Sequence, residues 1–201
     1  MARTMKIKGI AYPHEYLWRA SSKSLTMAET NNREQYYLLM QSLLTAYLAF
    51  EAFINSLGEC LDPDAWKNEK TFFNQQYYYG IEGKIKRLAE KLPNFVFEKG
   101  KRPYQIIKKV GKFRTLLVHG KPYHFEKEVL NEGSKTNMFE FIWDEYLSLE
   151  NVNRSREAIK EFCESLYSGA HTILEETEAP HPLPQAFGGP LAHSEGETKS
   201  Y

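Results

Sequence analysis

The sequence predicts an all-α protein, a bundle of four to five helices. Two observations carry that prediction. Apolar residues recur at steps of three and four through long segments of the chain, which places them on one face of an α-helix. Glycine, proline and aspartate punctuate the joints between those segments, where helices stop. With 201 residues, 42% of them apolar, the chain can bury the core of one domain.

Residues 1–33 read as an N-terminal extension. They open with MARTMKIKGIAYPHEYLW, early charges without an apolar run and small-residue cleavage site, so no signal peptide is expected. The helical domain is placed at residues 34–176. Its first helix runs through EQYYLLMQSLLTAYLAFEAFINSLGEC, with Leu43, Tyr47, Phe50, Ile54 and Leu57 on one stripe, and Gly58 followed by DPD ends it. Within it, residues 36–54 approach the length of a membrane span, but Gln41, Thr45 and Glu51 favour a buried core helix, so no membrane is expected. A second helix, residues 72–92, begins aromatic, turns basic and closes at Pro93. A third, 104–119, carries Ile106, Val110, Phe113 and Leu117. A fourth, about 151–176, carries Val152, Ile159, Phe162, Leu166 and Ile173. Residues 121–149 show no clean period and fit a loop, a short strand pair or another helix. The Pro- and Gly-rich residues 177–201 are expected to be a disordered tail.

Formal net charge is zero, yet the charge is uneven. Lys84 to Lys121 holds 12 Lys and Arg against Glu90 and Glu98, a net +10 that the rest of the chain offsets with −10. A face of that kind suits a polyanion such as RNA, with Lys108, Lys109, Lys112 and Lys121 as candidate phosphate contacts. Equally, those lysines can pair with the acidic remainder of the same fold. Cys60 and Cys163 lie about a hundred residues apart without a CxxC or His cluster, so neither disulfide framework nor zinc site is expected and a reduced, cytoplasmic protein fits. No metal or cofactor is expected: His14, His124, His171, His181 and His193 lack ligand spacing with one another, and there is no P-loop, GxGxxG or nucleophile elbow. The aromatic run FFNQQYYYG, residues 72–80, reads either as core or as a platform for unpaired bases.

The stretch KFRTLLVHGKPY, residues 112–123, holds the most specific chemistry. Gly120 can take the left-handed conformation that closes helices and Pro122 cannot continue one, so His119 is expected in the last turn. An imidazole there faces free carbonyls and the negative end of the helix dipole, and histidine is the side chain that ordinarily titrates nearest neutral pH. Arg114, five residues earlier, is about 140° away around an ideal helix. The two flank a groove over Gly111, Thr115 and Val118, where Gly111 leaves room for a ligand or another helix. The alternative is a helix-capping His119 and a surface ion pair for Arg114.

AFEAFINSLGE, with Glu51 and Asn55, and VGKFRTLLVHGKP together resemble the two signature helices of the HEPN superfamily of helical bundles, whose later motif is commonly read as fRN..vHG. The resemblance covers residues 34–176. The family often has Asn, Asp or His after the Arg, whereas Thr115 stands here, a residue that can hydrogen-bond but not titrate. The resemblance implies a metal-independent endoribonuclease acting as a homodimer with paired motifs at the subunit interface. Many members act in toxin–antitoxin or antiviral defence, so a nucleotidyltransferase-type antitoxin or another defence partner is implied. Others have lost activity and only bind RNA, a nucleotide or a partner protein.

The chemistry is coherent. Metal-free RNA cleavage needs the 2′-OH to attack phosphorus, groups to move protons and a cation for the phosphorane charge. His119 is assigned proton transfer and Arg114 charge stabilisation, its planar fork matching two phosphate oxygens. Glu51 and Asn55, one helical turn apart, either orient Arg114 or RNA or are ordinary polar residues beside an apolar stripe.

Overall fold

The computed structural model describes residues 6–122, 126, 141–174 and 182–197. The chain folds as an all-α bundle of five long helices, α1 (Pro13–Thr30), α2 (Gln35–Leu61), α5 (Gly80–Lys91), α6 (Tyr104–Val118) and α7 (Leu149–Leu174). Two short helices, α3 (Pro63–Lys67) and α4 (Glu69–Phe72), link α2 to α5, and one small ribbon pairs β1 (Lys6–Ala11) with β2 (Ala192–Glu197).

α2 is the central element because its apolar residues point in several directions at once. The predicted stripe Leu43, Tyr47, Phe50, Ile54 and Leu57 is buried, and so are Leu39, Ala46, Ala49 and Phe53. That helix is long and apolar enough to cross a membrane, but the bundle itself covers this apolar surface. α1 covers one side, α7 another, α5 and α6 the rest. Phe162 of α7 meets Phe50 of α2, Tyr104 of α6 and Phe95 in one aromatic hub, edge-on to Phe50 and Phe95 as rings favour and tilted against Tyr104. The 3₁₀ turn Asp144–Tyr146 is anchored to α2 as the Tyr36 hydroxyl donates to Asp144 Oδ1 (2.8 Å) and Trp143 Nε1 donates to the Tyr36 hydroxyl (2.7 Å).

Several sequence-based expectations are corrected. Of the expected extension at 1–33, residues 1–5 lie outside the described residues and the rest belongs to the fold: α1 lies antiparallel along α2, with His14 beside Phe53 and Ser21 beside Ser42. Its buried face is largely polar, including His14, Glu15, Ser21 and Ser24, so hydrophobic periodicity could not reveal it. The expected disordered tail is also structured over residues 182–197. Tyr12 donates its N–H to Leu191 O, and β2 pairs antiparallel with β1 from Ala11 opposite Ala192 to Lys6 opposite Glu197. Residues 177–181 and 198–201 lie outside the described residues, as does most of 121–149.

The second expected helix is broken into α4, a 3₁₀ turn at Gln76–Tyr78 and α5, entered through Gly80 at φ +61°. α2 continues past Gly58 to Leu61, where Asp62 and Pro63 end it. Gly58 serves a different purpose, since a Cβ there would lie 2.0 Å from the Trp66 ring. Gly120 does not adopt the left-handed conformation; α6 closes with His119 at its C-cap, whose N–H donates to Thr115 O (3.1 Å).

Candidate functional site

α2 presents Tyr47, Glu51 and Asn55 at successive turns of one face, toward α5 and α6. α6 comes close because Gly111 lacks a side chain: a Cβ there would stand 2.7 Å from the Tyr47 hydroxyl. The room over Gly111, open to ligand or helix from sequence alone, is thus taken by α2. One turn on, Arg114 Nη2 stands 3.8 Å from Glu51 Oε2, each side chain 29% exposed. Arg114 Nε is buried without a hydrogen-bond partner among the described residues. Burial raises the Glu51 carboxyl above the usual range, while Arg114 and then Lys84 pull it back. Burial, with Glu51 adding to it, pushes the Tyr47 phenol up to about 12.

Lys84 of α5 extends this polar chain. Its ammonium donates to Asn55 Oδ1 (2.7 Å), pairs with Glu69 and lies 5.5 Å from the centre of the Phe73 ring. Glu51, Asn55, Glu69, Tyr79 and Lys84 line an open cleft of about 490 Å³. Lys84 was missed because it reads as one more cation of a basic run. The available signal was its place between Ile81, Ile85 and Leu88, on the face that α5 turns to the core.

The other candidate residues are placed differently. His119 is exposed at the C-cap of α6, about 140° around an ideal helix from Arg114. Thr115 donates its hydroxyl to Gly111 O (2.9 Å), within its own helix. Of the basic residues, Lys108 is paired with Glu82 (3.3 Å). Lys109 and Lys112 line a separate groove of about 380 Å³ between α6 and α7, beside Arg154, Glu145 and Asn151. That groove lies about 140–160° around an ideal helix from Arg114, and His119, seven residues after Lys112, falls on the Lys112 side. Lys121 is exposed without an ion pair among the described residues. The structure therefore joins Arg114, Glu51 and Asn55 in one neighbourhood and leaves His119, Lys109 and Lys112 on another side of α6. Among the described residues no three His, Cys, Asp or Glu side chains cluster in a way that could hold a metal ion. Comparison with family models, with curated proteins and with solved structures returns no match.

Proposed function

We propose that this chain is a HEPN-like, metal-independent endoribonuclease of toxin or defence type. The observation that supports the reading is the ion pair between Arg114 of α6 and Glu51 of α2, which joins the two segments carrying the resemblance. Glu51 restrains the guanidinium without enclosing it, so its exposed edge can donate to phosphate oxygens. His119, exposed on the last turn, moves the proton of the attacking 2′-OH. Because Arg114 and His119 diverge around α6, one phosphate is served by Arg114 of one protomer and His119 of its partner in a two-fold dimer.

Purified wild type, Arg114→Ala and His119→Ala are compared on RNA with EDTA present. Each substitution is expected to lower cleavage about 10²–10⁴-fold. Wild-type products are expected to carry 2′,3′-cyclic phosphate ends, and mixing the two variants should restore activity through hybrid dimers that contain one intact site. Equal activity in all three proteins would reject the assignment. A non-catalytic helical binding module is the second reading. It is favoured by the Thr115 hydroxyl being bonded within its own helix and by Glu51 already neutralising part of the Arg114 charge. It predicts RNA or partner binding without cleavage.

A further inference from the structure

Exposed large apolar side chains gather at one place on the surface. Tyr77 (60% exposed), Tyr79 (69%) and Val96 (79%) line a groove of about 650 Å³ together with Phe95, Lys86 and Lys99. Apolar surface of this kind, rimmed by polar groups, marks a binding site more often than a scatter of single residues does.

The two tyrosines are held outward by their neighbours. Phe73 is buried, and Tyr78 stacks on Phe72 with ring centres 5.2 Å apart and donates its hydroxyl to Glu90 Oε2 (2.6 Å). Gly83 clamps the turn to α5, because a Cβ there would lie 1.9 Å from the Tyr78 backbone. Tyr77 in the fixed 3₁₀ turn and Tyr79 in the extended residue after it therefore point to solvent, which lowers the ordering cost of using their rings.

Charge selects the occupant. Glu82 is held by Lys99 (2.7 Å) and Lys108 (3.3 Å), and Glu90 by Arg87 (3.3 Å) and the Tyr78 hydroxyl. Lys86 lies over the Tyr77 ring and has no carboxylate partner among the described residues, so it is the uncompensated charge of the groove. The open Tyr79 ring, beside an ammonium that has no carboxylate partner among the described residues, matches a flat base followed by a phosphate. Tyr79 also lines the cleft of Glu51, Asn55 and Lys84, so the two depressions adjoin at its side chain.

We infer that this groove binds single-stranded nucleic acid, with an unpaired base stacked on Tyr79, phosphate beside Lys86 where the Tyr77 ring holds it, and the strand continuing into the Glu51 cleft. The inference rests on the nucleic-acid reading of that cleft. Its test uses a short fluorescent oligothymidylate, which has no 2′-OH and cannot be cleaved by the proposed route, with fluorescence anisotropy as the readout. Tyr77→Ala/Tyr79→Ala is expected to weaken binding at least ten-fold, whereas Tyr77→Phe/Tyr79→Phe keeps the rings and the affinity. Inorganic polyphosphate, a backbone without bases, is expected to bind wild type and both variants alike. Equal oligothymidylate binding by wild type and the Ala variant, or no binding by wild type, overturns the inference. So does a changed sedimentation coefficient in the Ala variant, which would make the patch a protein–protein surface. RNA cleavage retained without tyrosine-dependent binding would sink the stacking site alone, and tyrosine-dependent binding without RNA cleavage would sink the ribonuclease alone.

Discussion

The His14 imidazole is fully buried, with the Tyr12, Phe53 and Phe187 rings around it. Its Nε2 stands 3.0 Å from Gln185 O, which makes Nε2 the protonated nitrogen, and Nδ1 has no hydrogen-bond partner among the described residues. Charging the ring would bury an N–H with nothing to accept it, at about 1–3 kcal/mol for such a group. Burial therefore holds the imidazole below its usual pKa, while the Gln185 carbonyl and Glu15, 4.0 Å away, work in the opposite direction. Unfolded, the same histidine protonates in the ordinary range, so the unfolded chain binds more protons as pH falls. The contribution is present above the ordinary histidine pKa and is lost as pH falls through the lower folded value. Urea midpoints are expected to drop between pH 7.5 and pH 5.5 in wild type and to drop less in His14→Asn; parallel pH profiles would reject this. Arg156 of α7 is the contrasting buried ion. It donates to Ser21 and to Ser22 Oγ (2.7 Å), lies 4.1 Å from the centre of the Trp18 ring, and burial lowers it only to about 10, so it keeps its charge near neutrality.

At the scale of elements, the Pro182–Leu191 segment is a strap across the start of α1. Gly188 and Gly189 donate their N–H groups to the two carboxylate oxygens of buried Glu15 (3.1 and 2.7 Å), Arg19 donates to Gly189 O (3.0 Å), and Phe187 stacks on Trp18 with ring centres 4.0 Å apart. Ending the chain at residue 181 would strip Glu15 of both donors. The expected loss is about 2–4 kcal/mol, or roughly 5–15 °C in Tm by calorimetry, and a truncated chain that melts with the full one would show the strap to be passive. α2, α6 and α7 were legible in the sequence because their apolar stripes face a core, as in Leu43 to Leu57. α1 and the strap were not, because each supplies polar groups that the other satisfies, and neither shows a period alone. At the candidate site, Glu51 and Arg114 were legible through motif order. Lys84 and the Tyr47–Gly111 approach were not, since both depend on how α5 and α6 lie against α2.

Across the whole molecule, much of the basic excess is answered internally. Of the 12 cations from Lys84 to Lys121, seven have an acidic partner among the described residues: Lys84, Arg87, Lys91, Lys99, Lys101, Lys108 and Arg114. Exposed pairs of this kind are weak, but each partner carboxylate offsets part of the attraction its cation offers a passing phosphate. Lys109 and Lys112 have no ion pair among the described residues and face Arg154 of α7 across one groove, with Glu145 the acid there. If RNA crosses the molecule, this groove should release more counterions than the paired Lys108 does. Lys109→Glu/Lys112→Glu is expected to weaken RNA binding strongly and to reduce the slope of log K against log salt by about two, and Arg154→Glu by about one. Lys108→Glu, which leaves Glu82 with Lys99, is expected to change the slope least. Fluorescence titrations of a labelled RNA at several salt concentrations measure all three. A slope that Lys108 dominates, or one that no reversal alters, would show that RNA does not run along the α6–α7 groove.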